Sequence, residues 1–268
     1  MPKIKLMGIL NLSPNSFSND GKSSAEEALA HAKKLLHDGA DLLDIGAQST
    51  APGAHALTAA QECSMMAGSL KTISTLCQVS VDTYKSEVAE FSLRQGAQMI
   101  NDVSGLRADP DMVKVLRKYG APVVIMHSKE SPNSPIASNA EAEYSDIIGH
   151  IGEFFLERID YALAKGLKRE QLIIDPGMGM FLSSKAERSL EVLRRLDELQ
   201  QLGLPILVGI SRKGFLGDSI SRREDPIQPR DPLSALCALK AALKGAQYIR
   251  THNVHLTRRF IDTWKALD

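Results

Sequence analysis

Residues 172–179 read Leu-Ile-Ile-Asp-Pro-Gly-Met-Gly, a short apolar run that stops at a carboxylate. The three leading residues, two of them β-branched, predict a buried strand. Asp175 follows them, and Pro176-Gly177 forces a turn directly afterwards. A carboxylate at the end of a strand buried on both faces is costly unless a partner meets it. This stretch therefore predicts a strand whose carboxyl end faces a polar ligand or partner.

A strand followed by a helical pattern recurs along the whole chain. Strands are predicted over residues 3–10, 41–45, 79–81, 97–100, 122–126, 172–175, 205–208 and 247–249. The first helix is expected to start at Ser23, which has a capping-box partner in Glu26, and to end at Gly39. Further helices are predicted over residues 58–75, 86–95, 110–119, 140–165, 186–202, 233–244 and 254–267.

Eight strand–helix units in 268 residues predict an α/β protein with a parallel sheet and helical crossovers. Eight units at this length fit a (β/α)8 TIM barrel that forms a single domain over residues 1–268. An open doubly wound sheet is the alternative. It normally has fewer strands, and no Gly-x-Gly-x-x-Gly motif follows the first strand here.

Composition excludes several classes of function. The 32 basic and 32 acidic residues leave no net charge, so nothing suggests a nucleic-acid or anionic-membrane surface. The apolar run over residues 6–12 is too short for a membrane span and lacks a signal-peptide cleavage pattern. Cys63, Cys77 and Cys237 are odd in number and widely spaced, which favours reduced thiols in a cytoplasmic protein.

In a barrel, functional side chains lie at the carboxyl ends of the strands, where they share one rim. Polar residues at or just beyond the predicted strand ends are Asn11, Asp44, Asp82, Asn101, His127, Asp175, Lys213, Arg250 and His252. A single polar residue at a strand end is uninformative, because such residues end strands in many proteins. Eight ends that converge on one rim indicate a site for a polar ligand.

The acceptors among these residues indicate a flat heterocycle. Asp82, Asn101 and Asp175 offer carboxylate and amide oxygens. An amino-amidine edge, as in guanine or a pterin, presents adjacent N–H donors that a carboxylate accepts in parallel.

The cations indicate a phosphate. Lys213, Arg250 and His252 supply positive charge suited to a phosphate or diphosphate. Asn11 would join such a diphosphate in holding Mg²⁺, an ion that takes few protein ligands.

Seven motifs, in order along nearly the whole chain, resemble those of dihydropteroate synthases. They lie at residues 7–18, 44–53, 80–83, 100–103, 175–177, 211–213 and 249–252. The family joins p-aminobenzoate to a dihydropterin methyl diphosphate, releasing pyrophosphate and giving 7,8-dihydropteroate for folate synthesis. The resemblance implies a pterin-binding barrel, a Mg²⁺ cofactor, small-molecule substrates and a homodimer.

The resemblance also implies roles for individual residues. Residues expected to hold the pterin are Asp82, Asn101, Asp175 and Lys213. Residues expected around the diphosphate are Arg250 and His252 on its oxygens and Asn11 on Mg²⁺. Residues expected to frame the p-aminobenzoate pocket are Phe17, Thr50, Pro52 and Ser211.

The mechanism that the resemblance implies is dissociative: pyrophosphate departs first, and the arylamine then attacks a pterin-methylene cation. Asp82, Lys213 and Arg250 are the expected catalytic residues, because charge develops next to them. His127 is expected in the pocket wall. Asp44 and Asp102 are expected to be structural acceptors for loop amides.

The chain departs from the family pattern at several positions. Ala51 stands where the family usually has arginine, and Met180-Phe181-Leu182 replaces a Phe-Gly-Lys run. Three motifs resemble those of the sulfonamide-insensitive synthases more than those of the common sulfonamide-sensitive type. They are the motif that follows the sixth strand, Met126-His-Ser128 and Arg250-Thr-His252. Two alternatives remain: a non-catalytic pterin-binding paralogue, and a pterin-dependent methyltransferase domain, which needs a corrinoid partner and should lack the motif at 211–213.

Overall fold

Eight parallel strands form one sheet in the described part of the chain, which comprises residues 3–12, 21–49, 53, 55–131, 136–138, 140–220 and 230–268 of a computed structural model. The strands are β1 (Lys5–Asn11), β2 (Leu42–Gly46), β3 (Gln78–Asp82), β4 (Met99–Asp102), β5 (Val123–Met126), β6 (Leu172–Asp175), β7 (Leu207–Gly209) and β8 (Tyr248–Thr251). Each predicted strand is present, within one or two residues of its expected limits.

The sheet closes on itself almost completely. Strands β1 to β6 pair in chain order, β7 pairs with β8, and β8 pairs with β1. Between β6 and β7 the described pairing narrows to one bridge, between Ile174 and Ile206, where the Ile174 N–H donates to the Pro205 carbonyl at 2.9 Å. We call this narrow contact the β6–β7 seam. The arrangement confirms the predicted (β/α)8 barrel.

Helices cover the outside of the barrel. They are α1 (Gly21–His37), α2 (Ala59–Ala67), α3 (Leu70–Ser74), α4 (Ser86–Arg94), α5 (Met112–Tyr119), α6 (Ile147–Ala164), α7 (Ala186–Arg194), α8 (Phe215–Ile220), α9 (Asp231–Leu243) and α10 (Val254–Leu267). Short 3₁₀ helices lie at Arg169–Gln171, Gly179–Phe181 and Leu196–Leu202. Among the described residues, no helix has the length and apolar character needed to cross a membrane.

The ends of α1 show one correct and one wrong prediction. Gly39 has φ of 101°, and its N–H bonds to the Leu36 carbonyl, as expected for a glycine that ends a helix. The helix begins at Gly21, so Ser23 lies inside its first turn and is not its N-cap.

Several predicted helices are shorter or divided. Thr58 caps α2 through a capping box with Gln61, but Gly68 and Ser69 separate α2 from α3 within the predicted helix 58–75. The predicted helix 186–202 likewise splits into α7 and a 3₁₀ helix. Helix α6 starts at Ile147 rather than near residue 140. Helix α8 had no counterpart among the predictions.

Alternation along the strands creates two apolar layers. Outward-facing residues such as Leu43, Val81 and Ile174 join the helices in the larger core. Inward-facing residues form a separate cluster, which we call the plug: Met7, Leu42, Met99, Val124, Ile173 and Leu207, with Tyr248 packed against them. Two residues further along a strand, side chains point inward again. The plug is therefore the floor beneath whatever these next inward residues bind.

Candidate active site

Polar side chains occupy the inward positions directly above the plug. They are Asp44 on β2, Asp82 on β3, Asn101 on β4, Asp175 on β6 and Arg250 on β8, and we call this set the polar layer. Three of the five lie two residues after a plug residue of the same strand, and Arg250 lies two residues after Tyr248, which packs against the plug. Asp44, Asn101 and Asp175 are buried, and the other two are partly exposed. The sequence-predicted acceptors are thus brought together at one end of the barrel.

Arg250 joins β8 to two other strands. Its Nε donates to Asp44 Oδ2 at 2.5 Å, and its Nη2 donates to Asp82 Oδ2 at 2.8 Å. Asn101 Nδ2 donates to the same Asp44 oxygen at 3.0 Å. Burial opposes the positive charge, yet the Asp44 and Asp82 carboxylates raise the pKa of Arg250 above its usual value. Arg250 is therefore a permanent cation in the polar layer.

Asp82 and Asp175 are carboxyl groups whose negative charge is opposed by burial. Burial raises the pKa of Asp82 to about 7, although Arg250 acts in the opposite direction. Burial likewise raises the pKa of Asp175 to about 6, against the bond from the Gly177 N–H and the charge of Lys213. Both carboxyls would be stabilised as anions by N–H donors from a ligand.

The turn after β6 places Asp175. The Gly177 N–H donates to Asp175 Oδ1 at 2.9 Å. Gly177 has φ of 69°, and a Cβ atom at this position would lie 2.3 Å from the His127 carbonyl oxygen. Only glycine fits this turn, because any side chain would meet both the backbone of the neighbouring strand and an unfavourable φ.

Lys213 reaches the site from the loop after β7. Its Nζ donates to the Met178 carbonyl at 2.8 Å and lies 5.1 Å from the centre of the Phe181 ring. A Cβ atom on Gly179 would lie 3.2 Å from Lys213 Cδ, so the glycine makes room for the lysine. Burial lowers the pKa of Lys213 to about 8, while Asp175 counteracts this effect.

His252 and Ser211 form a pair between the last two loops. The two side chains meet through Nδ1 and Oγ at 2.9 Å, and the His252 N–H donates to the same Oγ at 3.1 Å. Burial, with Arg212 and Arg250 nearby, lowers the pKa of His252 to about 4. His252 is thus neutral near pH 7, and it offers a ligand a hydrogen bond rather than the positive charge expected from the sequence.

Arg212 lies between Ser211 and Lys213 in the sequence and bonds to Asp231 rather than to the polar layer. It has φ of 60°, and its guanidinium pairs with Asp231 through bonds of 2.7 and 2.9 Å. Its N–H donates to Ser234 Oγ at 3.0 Å. These contacts fix a sharp turn that sends Ser211 and Lys213 toward the barrel.

The remaining sequence-predicted residues fall into three groups. Asn11 is exposed at the end of β1. Phe17, Thr50 and Pro52 lie outside the described residues, as does Ala51. His127 is buried against Phe154 and His150 of α6, with its pKa lowered to about 3 by burial, so it is a neutral packing residue.

The two aspartates expected to accept bonds from loop amides behave differently. Asp102 accepts from the N–H groups of Ser104 and Leu106 at 2.8 and 2.9 Å, as predicted. The prediction for Asp44 is wrong, because its partners among the described residues are Arg250 and Asn101 inside the barrel. Asp44 Oδ1 is buried and has no partner among the described residues.

The sequence reasoning also missed a support for the loop after β2. Gln48 accepts from the Leu57 N–H at 2.7 Å and donates to the Ser49 and His55 carbonyls at 3.0 and 3.1 Å. Lys85 donates to Gln48 Oε1 at 3.3 Å and pairs with the buried Glu62. Gln48 lies two residues beyond the end of β2, and this position in the sequence could have indicated its role in supporting the loop.

An apolar wall lies beside the polar layer, near Lys213. It consists of Val103, Met126, Ala137 and Phe181, with Tyr84 and Met180 packed against them. Phe181 and Met180 belong to the segment in which the chain departs from the family pattern. A flat ligand that bonds to the polar layer would have an apolar surface beside it.

Comparison with known proteins identifies the family. Residues 7–252 match the model of pterin binding enzymes. A dihydropteroate synthase of Synechocystis sp. is 37% identical over 255 residues, covering 93% of this chain and 85% of the relative. The chain belongs to the dihydropteroate synthase family. A type-3 dihydropteroate synthase of Escherichia coli is also 34% identical to it, with 98% of this chain and 99% of the relative covered.

Solved structures of family members have the same architecture. The dihydropteroate synthase of Xanthomonas albilineans with 4-aminobenzoic acid superposes with a TM-score of 0.88 at 35% identity, covering 99% of this chain and 93% of that one. The same enzyme in complex with 7,8-dihydropteroate gives a TM-score of 0.85 at 33% identity, with 99% and 94% covered. The family assignment thus covers nearly the whole barrel, including each strand of the polar layer.

Proposed function

We propose that this chain is a dihydropteroate synthase, a transferase of folate biosynthesis that forms a C–N bond with an arylamine. It condenses 6-hydroxymethyl-7,8-dihydropterin diphosphate with p-aminobenzoate, giving 7,8-dihydropteroate and pyrophosphate. The observation that carries the proposal is the polar layer, in which three acidic side chains, an amide and a guanidinium meet above an apolar floor. This set suits the donor edge of a pterin and the charge of a diphosphate.

The pterin would lie on the polar layer with its donor edge toward Asp175. Asp82 and Asn101 would accept or donate on the adjoining edge, and Lys213 would bond to a ring acceptor. When pyrophosphate leaves, a cation remains on the pterin methylene, and a carboxylate such as Asp82 would stabilise it. Such a mechanism needs no enzymic nucleophile.

The diphosphate would lie between Arg250 and His252. Arg250 would supply positive charge to its oxygens. His252, neutral near pH 7, would contribute a hydrogen bond from its ring. Ser211, bonded to His252, would border the arylamine pocket together with Phe17, Thr50 and Pro52.

We propose Mg²⁺ as the cofactor, with Asn11 as its protein ligand. Asn11 is exposed at the carboxyl end of β1 and is in register with Gly46 of β2. The described residues contain no group of three His, Cys, Asp or Glu side chains that could hold a metal. An ion here would therefore depend on diphosphate oxygens and water, as Mg²⁺ commonly does. When bound, it supplies positive charge beside the diphosphate.

The decisive experiment is pyrophosphate release from the purified protein with both substrates, repeated with each substrate omitted and with Mg²⁺ chelated. We expect release only when both substrates and Mg²⁺ are present. Pterin binding without arylamine-dependent release would indicate the non-catalytic paralogue. Methyl transfer that requires a corrinoid partner would indicate the methyltransferase alternative.

We also propose that the chain resembles the sulfonamide-insensitive synthases in its response to sulfonamides. The support is the Met180-Phe181-Leu182 segment, which contributes to the apolar wall. A steady-state assay should show little inhibition at low-micromolar sulfonamide. Full inhibition at that concentration would contradict the insensitivity and leave the synthase activity unaffected.

We further propose that the protein is a homodimer located in the cytoplasm. Support comes from exposed apolar residues on the helices after β7 and β8, namely Leu236 and Leu243 on α9 and Trp264 and Leu267 on α10. The three cysteines, Cys63, Cys77 and Cys237, form no disulfide. Light scattering coupled to size-exclusion chromatography would determine the oligomeric state.

A further inference from the structure

Arg250 connects the part of the site proposed for the pterin with the part proposed for the diphosphate. It bonds at once to Asp44 and to Asp82, so that one positive charge is shared between two carboxylates. We infer that Arg250 exchanges Asp82 for a diphosphate oxygen when the substrate binds, while Asp44 keeps its bond, so that pterin and diphosphate strengthen each other's binding. This inference rests on the proposed function.

Asp44 keeps Arg250 because no other cation among the described residues is bonded to it. Its side chain is fully buried, and its Oδ2 accepts from both Arg250 Nε and Asn101 Nδ2. Loss of Arg250 would leave a buried carboxylate without a counterion, which is strongly unfavourable. Lys213 does not replace it, because the lysine Nζ is bonded to the Met178 carbonyl. Asp44 is therefore the positioning residue that keeps the guanidinium in the barrel mouth.

Asp82 is the partner that Arg250 releases. The Asp82 side chain is 17% exposed, whereas that of Asp44 is 0% exposed. Once released, Asp82 could bond to water or to an N–H group of the pterin, because its side chain is partly exposed at the end of β3. The buried Asp44 has no such access.

The exchange couples the two ligands. While Arg250 bonds to Asp82, it is less available to an anion, and the Asp82 oxygen is less available to the pterin. Each ligand removes the competitor of the other. Because coupling between binding sites is reciprocal, pyrophosphate should tighten pterin binding by the same factor by which pterin tightens pyrophosphate binding.

Calorimetric titration of the full chain with inorganic pyrophosphate and with 6-methyl-7,8-dihydropterin, which lacks the oxygen that pyrophosphate supplies, measures this factor at constant Mg²⁺ and without arylamine. We expect each ligand to lower the dissociation constant of the other at least fivefold. The Asp82→Asn variant should bind pyrophosphate at least fivefold tighter than the wild type when no pterin is present, because the competing charge is gone.

Asp175→Asn is the matched control, because it removes a carboxylate of the same layer that is not bonded to Arg250. Its pyrophosphate affinity should change less than twofold. Equal tightening in both variants would reveal a general charge effect and overturn the inference. Independent binding of the two ligands by an enzyme with normal turnover would also overturn it, yet would leave the proposed function standing. Coupled binding by a protein without turnover would support the inference and contradict the proposed function.

Asp44→Asn tests the positioning role. We expect its affinity for pyrophosphate to fall at least tenfold, because Arg250 loses the partner that holds it in the mouth. An unchanged affinity in a variant with a wild-type circular dichroism spectrum would contradict that role. If the variant does not fold, the Asp82→Asn and wild-type titrations decide the exchange without it.

Discussion

Three neighbouring residues hold the Lys213 side chain in the site. The Met178 carbonyl accepts from its Nζ, Phe181 lies beside the ammonium, and Gly179 leaves space for the alkyl stem. Lys213→Met keeps the stem and removes the charge. A hydrogen bond from a charged group contributes about 1.5–3 kcal/mol, so the pterin diphosphate should bind roughly 10-fold to 100-fold more weakly. Calorimetry measures this, and the exposed Lys240→Met should bind as the wild type does.

The pH dependence of activity should reflect Asp82, Asp175 and Lys213 together. The pKa of Asp175 is raised to about 6, so its carboxylate is lost as the pH falls below that value. The pKa of Lys213 is lowered to about 8, so its ammonium is lost as the pH rises above that value. The pKa of Asp82 is raised to about 7, so this carboxylate sets the acid limb above Asp175. All three charged forms coexist between about pH 7 and pH 8, and kcat/KM for the pterin diphosphate should be highest there.

Lys213→Arg supplies the control for this profile. Arginine keeps its proton throughout the accessible range, so the alkaline limb should move upward or disappear while the acid limb stays. An alkaline limb unchanged in this variant would assign that limb to another group.

At the scale of single elements, the turn after β6 depends on Gly177 more than on any side chain in it. A left-handed φ costs a non-glycine residue about 1–2 kcal/mol, and the close His127 carbonyl adds a steric clash. Gly177→Ala should therefore lower the free energy of unfolding by more than about 2 kcal/mol. Urea denaturation monitored by circular dichroism measures the change.

Gly120 is the matched comparison. It also has a left-handed φ, of 63°, but a Cβ atom there would meet nothing within 4 Å. Gly120→Ala should cost only the backbone term, about 1 kcal/mol. Equal losses in the two variants would show that the contact with His127 contributes nothing.

The strands were predictable because β-branched runs and terminal polar residues are local signals. The helix limits depended on tertiary contacts. Residues 140–146 belong to a helical pattern, yet the Tyr144 hydroxyl donates to the Leu182 carbonyl at 2.8 Å and the Ala142 N–H bonds to Ser183. These bonds tie the segment to the loop after β6, and α6 therefore begins only at Ile147.

At the scale of the whole molecule, the sequence located the site but not its internal bonds. Closure of the barrel brings the strand ends together, so Asp82, Asn101, Asp175 and Arg250 could be predicted to share one mouth. Arg250, which bonds to Asp44, is 206 residues away from it, on β8. Only the tilt and register of the closed barrel decide which carboxylate meets the guanidinium, and no local pattern carries that information.

The β6–β7 seam should make the barrel unequally stable around its circumference. The Ile174 N–H donates to the Pro205 carbonyl across the seam, whereas the Ile100 N–H donates to the Pro122 carbonyl beside the continuous β4–β5 ladder. Amide hydrogen exchange should be at least about tenfold faster at Ile174 than at Ile100, because fewer neighbouring bonds must open. Equal protection of the two amides would contradict this.

Because the β6–β7 seam lies beside the site, bound substrate should stabilise the barrel as well as enter the reaction. Asp175 ends β6 and Lys213 follows β7, so the two residues stand on opposite sides of the gap. A pterin bonded to both would add contacts across the seam to the bond that Lys213 already donates to the Met178 carbonyl. The substrate-free enzyme would then be less resistant to proteolysis and heat than the enzyme with pterin bound, in which the barrel is closed more completely. In a cell, supply of the pterin would set the lifetime of the protein as well as its rate of catalysis.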